Sequence, residues 1–292
     1  MLVLDLRVFH RRGQVVSFRG ALGWSAFYVA LAAAFAGIVF FWQGEQTALE
    51  FVTGYVLELS MSVDNLFVFL IIFKFFSVPE EHQHEVLFWG VIGALVFRGI
   101  FIGAGVELIY RFHWVLYIFG AFLVVSGIRL AFAGDRKIDP ASNPVVKGVR
   151  KLLPITSEYH GARFFVRSSN DKASLCGTPL LVVLLMIETT DILFAVDSIP
   201  AVLAVTLNAF IVYTSNVFAI LGLRSLYFAV AGLIKIFRFL HYGLALILVM
   251  VGAKMLAANY YHVRTEITLG AIAAVLFVSV LLSVAFPGKA KE

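Results

Sequence analysis

Residues 178–206 read TPLLVVLLMIETTDILFAVDSIPAVLAVT. The run exceeds the roughly 20 apolar residues that carry a helix across a bilayer. Yet it holds Glu188, Asp191 and Asp197, with no lysine or arginine among them. A carboxylate in the middle of a membrane helix costs about 2.5–3.5 kcal/mol on insertion scales. Acids in such a place point to function, because lipid offers them neither water nor a counter-ion.

The rest of the chain places this run in a membrane. The 292 residues are 61% hydrophobic and 14% charged, with a mean hydropathy of +0.94. A soluble domain is roughly 45–50% apolar and about 25% charged. A soluble enzyme of this composition could not cover its surface with polar groups, and disordered and collagen-like chains are excluded too. Apolar stretches at 22–42, 48–76, 86–110, 114–133, 178–206, 209–233, 239–258 and 267–286 predict membrane-crossing helices. No alternating β-barrel pattern is present. The fold class expected is all-α, a polytopic transmembrane helix bundle of about eight spans.

Charge sets the orientation. The 134–177 connection carries Arg136, Lys137, Lys147, Arg150, Lys151, Arg163, Arg167 and Lys172. Connections on the opposite side hold only Arg111 and Arg264. The positive-inside rule then puts the 134–177 loop and the C-terminus in the cytoplasm. The net charge of +5 follows from these loops and implies no nucleic-acid partner. Met1–Phe9 is too short to span and contains Asp5 and Arg7, so no cleavable signal peptide is expected. Within the long loop, Asn143 as a cap and Pro144 in the first turn predict an interfacial helix. Its apolar face would carry Val145, Val146, Val149, Leu152 and Leu153. A solvated linker is the alternative.

The chain repeats itself. Glu58–Asn65 (ELSMSVDN) aligns with Asp191–Ser198 (DILFAVDS), Arg98 with Arg224, and Gly127-Ile-Arg129 with Gly252-Ala-Lys254. The organisation read from this is a basic segment 1–21, a first span and outer loop 22–47, repeat 1 at 48–133, the loop 134–177, repeat 2 at 178–258, and a last span and tail 259–292. Each repeat has three spans, so the second enters from the opposite side. Such inverted-topology repeats recur in secondary transporters, with the site near the midplane between them.

The candidate ligands are the repeated acids and their polar neighbours. Glu58 and Asn65 share one helix face, as do Glu188, Asp191 and Ser198. Asp64 and Asp197 point about 120° away in an unbroken helix. A break at Pro200, with Asp197 and Ser198 capping a new half-helix, would bring them back, and a simple kink is the alternative. Arg98 and Arg224 cannot balance all these acids. Carboxylate, amide and hydroxyl oxygens suit hard divalent cations such as Mg²⁺, Ca²⁺ or Mn²⁺. Zinc or copper would want His and Cys, but His113, His241 and His262 sit at span ends and Cys176 is alone. Met61 and Met186 lie within a turn of the acids, where a thioether would favour Mn²⁺, although core filling is the more common role for methionine. Asn216 faces either the site or another helix. Gly99 and Gly103 predict close helix packing. No GxxxxGK[ST], G-x-S-x-G, H-E-x-x-H or GxGD motif occurs, so no ATPase, hydrolase or protease chemistry is expected, and the chain reads as a non-enzyme.

Three motifs carry a resemblance: Glu58–Asn65, Glu188–Ala201 (ETTDILFAVDSIPA) and Thr214–Arg224 (TSNVFAILGLR). They resemble the signatures of the TerC/Alx family of the broader lysine-exporter-like superfamily. The resemblance covers nearly the whole chain from about residue 10. It implies an integral protein of the bacterial inner membrane, linked to manganese efflux, the alkaline-pH response and, by name, tellurium resistance. Members usually carry a further span before residue 1, where this sequence has only the stub Met1–Phe9. The expected function is export of a divalent cation, Mn²⁺ foremost, by proton antiport. Glu58, Asp64, Asn65, Glu188, Asp191, Asp197 and Ser198 would hold the metal, and Arg98 and Arg224 would act as charge partners or gates. Mn²⁺ would be cargo, with no tightly bound cofactor, and the partners are the lipid bilayer, the ion and protons. The rival is a non-transporting scaffold that docks proteins at the 134–177 loop during metal, tellurite or alkaline stress.

Overall fold

The structure is a computed structural model that describes residues 18–132, 148, 153–156, 158–167, 175–231, 239–258 and 263–285. The residues proposed for the interfacial helix, Leu153 apart, residues 1–17 of the basic N-terminal segment and residues 286–292 of the tail lie outside this set. Among the described residues eight long helices follow one another: α1 (Phe18–Gln43), α2 (Glu45–Phe75), α3 (Glu80–Arg111), α4 (Val115–Phe132), α5 (Pro179–Leu203), α6 (Ala209–Ala231), α7 (Leu240–Leu256) and α8 (Thr265–Ala285). Seven are long and apolar enough to cross a membrane. The eighth, α7, has 17 residues, about 25 Å at 1.5 Å per residue, the short end of the spanning range. Their outer surface is greasy: Ile38, Phe41, Ile100, Leu193, Leu246 and Phe277 are all exposed. Lipid is the solvent that such a surface fits.

Short connections make successive helices antiparallel. Gly44, at φ +91°, turns the chain between α1 and α2. Pro79, followed by Glu80 and Glu81 in the first turn, starts α3, where acids suit the positive end of the helix dipole. Pro179 occupies the first turn of α5, where its missing N–H costs nothing.

The long connection contains an element that the sequence reading lacked. A two-stranded antiparallel sheet pairs β1 (Phe165–Arg167) with β2 (Leu175–Gly177), and Ile155 bridges to Gly177. The Thr178 hydroxyl donates to the Arg163 carbonyl at 2.7 Å, fixing the sheet to the start of α5. Tyr159 donates to the Phe76 carbonyl at 2.7 Å, fixing the segment to the end of α2. These ties define a loop face of the bundle; the 203–209 connection lies on the far face.

Two apolar clusters fill the interior. One includes Leu57, Ile102, Val106, Leu123, Ile199, Leu248 and Val251 toward the far face. The other includes Leu66, Phe69, Phe73, Val183, Ile187, Leu223 and Tyr227 toward the loop face. Along α2, α3 and α5 the charged residues Glu58, Arg98 and Asp191 fall between the two.

Helices α4 and α7 approach each other backbone to backbone at glycines. A Cβ on Gly120 would meet the Gly252 carbonyl oxygen at 3.0 Å, and one on Gly127 would meet the Ala245 carbonyl oxygen at 2.7 Å. Backbones this near leave no space for a side chain. The expected Gly99–Gly103 contact is different: Gly99 faces the Tyr213 ring, and Gly103 faces open space. Gly127→Ala should therefore force α4 and α7 apart, lowering stability by about 1–3 kcal/mol. Thermal unfolding of detergent-purified protein should show a clear drop in midpoint for Gly127→Ala and none for Gly103→Ala.

Candidate functional site: a buried arginine between two acids

Arg98 is 1% exposed, at mid-height of α3. A buried guanidinium needs partners for its donors, and two helices supply them. Its Nε donates to Asp191 Oδ2 at 3.1 Å and its Nη2 to Asp191 Oδ1 at 2.9 Å, a two-pronged contact with α5. Its Nη1 donates to Glu58 Oε1 on α2 and reaches Ser198 Oγ at 3.4 Å. Asp191 and Ser198 share one face of α5, as their seven-residue spacing requires. The triad carries one positive and two negative charges, so it remains net negative inside the bundle.

Around it, polar atoms stand without partners. Among the described residues, Glu58 Oε2, Glu188 Oε2, Ser62 Oγ and Asn216 Nδ2 are buried and make no hydrogen bond. Buried polar groups are nearly always paired, so orphans on α2, α5 and α6 are unusual. Other hydroxyls are spent locally: Ser60, Thr189 and Thr190 each donate to a carbonyl one turn back on their own helix. Glu188 rests against Gly93 of α3, so closely that a Cβ on Gly93 would overlap the carboxylate. A glycine there gives the acid its place against bare backbone.

The predicted residues do not all meet. Glu58, Arg98, Asp191 and Ser198 form the triad and its neighbour. Asn65 is buried on α2, two turns from Glu58. Asp197 lies on another face of α5, where Ser126 of α4 donates to it at 3.0 Å. That follows from the helix itself: α5 runs unbroken to Leu203 with Pro200 inside it, so the expected half-helix break does not occur. Likewise α2 continues through Asp64, whose side chain lies outside the described set. Met61 packs against the far-face cluster and Met186 lies within the loop-face cluster, the core-filling role. Arg224 and Asp191 line a cavity of about 10 Å³ together with Phe69, Leu87, Gly90 and Ile187. That is about the room for one water. The Arg224 guanidinium carbon lies 6.0 Å from the centre of the Phe88 ring. Among the described residues, no three His, Cys, Asp or Glu side chains converge as a metal cage. Sequence reasoning missed Ser126 and Gly93. Ser126 is the lone serine or threonine of its span, which could have marked it. Gly93 gives no such sign among the chain's 23 glycines.

A bundle of apolar helices around buried, net-negative charge is the architecture of a polytopic integral membrane protein. The chain belongs to the integral membrane protein TerC family, whose sequence profile matches residues 43–291. It is 46% identical over 283 residues to an uncharacterized membrane protein of Myxococcus xanthus, covering 97% of this chain and 88% of that one. It is 43% identical over 293 residues to Alx of Escherichia coli (strain K12), covering 97% of this chain and 90% of that protein. Alx of Photorhabdus laumondii is 42% identical over 294 residues, covering 97% of this chain and 91% of its own length. No solved structure matches.

Removing the guanidinium strands two buried carboxylates, a loss of about 3–5 kcal/mol for a broken buried pair. Arg98→Met should accordingly lower the unfolding midpoint sharply. The triple variant Glu58→Gln/Arg98→Met/Asp191→Asn should recover most of it, because no charge is then left behind.

Proposed function

We propose that the chain is a secondary transporter that exports a divalent cation, Mn²⁺ foremost, from the cytoplasm in exchange for protons. The observation that carries this reading is the net-negative triad of Glu58, Arg98 and Asp191, with Glu188 Oε2 buried and unpartnered one turn away on α5. Buried ion pairs are poor stabilisers compared with apolar residues of similar volume, so their presence in the spans calls for a function. Carboxylate and hydroxyl oxygens are the ligand chemistry of Mn²⁺, Mg²⁺ and Ca²⁺. The choice of Mn²⁺ rests on the family resemblance.

In this mechanism Arg98 holds the acids while no ion is bound. An entering cation replaces the guanidinium, drawing on Glu58, Asp191, Glu188 and Ser198. Protons arriving from outside neutralise the carboxylates and release the ion. The inner membrane, the cytoplasmic loop face and the inverted arrangement of the two three-helix units belong to the same proposal. The packing supports the last point. Contacts of α2 with α6 and of α3 with α5 are each other's counterparts when the units exchange. The Gly120–Gly252 and Gly127–Ala245 contacts exchange in the same way.

A second reading is an accessory role at the membrane, favoured by the sheet anchored across the ends of α2 and α5. The relatives' name describes Alx as a membrane-bound redox modulator. This chain has a single cysteine, Cys176, and it is buried, so a redox role here would need a partner or cofactor in place of an internal dithiol.

Proteoliposome assays separate the readings. Glu58→Gln, Glu188→Gln and Asp191→Asn should each reduce proton-driven Mn²⁺ flux by about tenfold or more, equivalent to about 1.4 kcal/mol or more. Gly93→Ala, which displaces the Glu188 carboxylate while keeping it, should reduce flux severalfold. Wild-type flux in the acid variants would refute the transport reading.

A further inference from the structure

The two helices outside the repeats break the symmetry of the bundle. On the repeat reading, exchanging the units swaps the α2–α6 pair with the α3–α5 pair and keeps α4 with α7. Helices α1 and α8 belong to neither unit. The main contacts of α1 are with α2 and α6, and those of α8 are with α7 and α2. Both extra helices therefore brace the α2–α6 pair, and the α3–α5 pair has neither as a main neighbour.

The bracing is close-packed. On α1, the Phe35 ring lies 5.1 Å from that of Phe51 on α2 and 4.7 Å from that of Phe218 on α6. A Cβ on Gly222 of α6 would touch Tyr28 Cβ at 3.5 Å. Ala32 packs with Tyr55 and Ala219. The repeat counterparts of Tyr55 and Ala219 are Glu188 and Gly93, so the second unit has its acid where the first carries a peripheral helix. On α8, the Thr265 hydroxyl accepts from Gln46 of α2 at 2.8 Å, and Thr268 accepts from Lys254 of α7 at 3.1 Å. Ser283 accepts from the Phe239 N–H at 2.9 Å, beside the start of α7. Helix α8 thereby joins α2 to the glycine-packed α4–α7 pair.

Polar contacts divide along the same line. Within α3–α5, Arg98 grips Asp191 with two prongs, the stronger and more directional arrangement. Glu188 nests on Gly93, and a Cβ on Gly105 would meet Leu203 Cδ1 at 3.1 Å. The bonds described between this pair and the other helices are single-pronged. Arg98 reaches Glu58 of α2 through Nη1 alone, Ser126 of α4 donates to Asp197, and Tyr227 of α6 donates to Gln83 of α3 at 2.9 Å. Apolar contacts across the same boundary, such as Gly99 on the Tyr213 ring, can slide without stranding a polar group.

We infer that α3 and α5 move as one body against a frame of α1, α2, α6, α8 and the α4–α7 pair, and that Glu58 is the frame's contribution to the cation site. Arg98, Glu188, Asp191 and Ser198 travel together, whereas the Arg98–Glu58 bond is made and broken as the body moves. Rigid-body displacement of one packed unit against another is an established route to switching. It preserves the two-pronged grip and the seat of Glu188, and it supplies the relative motion that exposing the acids to one side at a time requires. This inference rests on the transport reading for its purpose, though not for its test.

The test is spin-label distances in purified protein without cation, on a Cys176→Ser background, with labels at exposed positions. Leu193→Cys on α5 with Ile100→Cys on α3 measures the moving body, and Phe41→Cys on α1 with Phe277→Cys on α8 measures the frame. Leu193→Cys with Phe41→Cys measures the gap between them. Glu58→Gln loosens the tie to Arg98. It should shift or broaden the Leu193–Phe41 distance by about 2 Å or more, the scale of helix shifts, and leave the other two unchanged. If Glu58→Gln does not accumulate, Tyr227→Phe, which cuts the tie to Gln83 away from the acids, should do the same. An unchanged Leu193–Phe41 distance, or an equal change in either other pair, would overturn the moving body. The expected shift in a protein without proton-driven Mn²⁺ flux would sink the transport reading alone, and Mn²⁺ flux with all three distances fixed would sink the moving body alone.

Discussion

Everything in the interior is arranged about one guanidinium that lipid would not tolerate. A guanidinium carries its charge and its five N–H donors into the interior with it. It must be met by carboxylates, and Glu58 and Asp191 come from two other helices to do so. The contact therefore pins α2, α3 and α5 at one height. In a low dielectric the attraction is strong, but so is the penalty for any member left alone. Glu188 lies a turn away on α5, and Arg224 lines a small cavity with Asp191, so further charges of both signs gather about the triad.

The apolar parts of the bundle make this centre affordable in space. Separate clusters close it off above and below. Close packing of α4 on α7 through Gly120, Gly127 and Gly252 leaves no room for side chains between them. In lipid, where burial itself gives helices little drive to associate, such small-residue contacts supply dispersion energy in its place. Gly93 serves a different end, giving the Glu188 carboxylate a place against backbone. Glycines of one composition class thus do two jobs, and their surroundings distinguish them.

Much of this was legible from residues alone. The eight described helices match the eight apolar stretches to within about six residues at their ends, and seven of them are long and apolar enough to span, because in a membrane hydrophobic length dictates helix length. Arg98 was legible as a charge partner for the intramembrane acids, because such a charge requires an opposite one, but that Glu58 and Asp191 are the two it meets was not. Two other features were not. The break expected at Pro200 does not occur, because the rest of α5 holds the helix together around one missing hydrogen bond, and Asp197 therefore turns to Ser126. The sheet of the long connection was missed because strands of three residues carry too little periodicity to be seen among polar neighbours.

The central claim is that these buried acids receive a divalent cation, and ligand-dependent stabilisation tests it most directly. A cation that binds the folded state alone raises its stability, by about 2.7 kcal/mol at a hundredfold excess over the dissociation constant. Purified wild-type protein should unfold at a distinctly higher temperature with Mn²⁺ than with Mg²⁺ or Ca²⁺ at equal ionic strength. The Glu188→Gln/Asp191→Asn variant should show no such gain. A Mn²⁺ effect of the same size in both proteins, or in neither, would contradict the account.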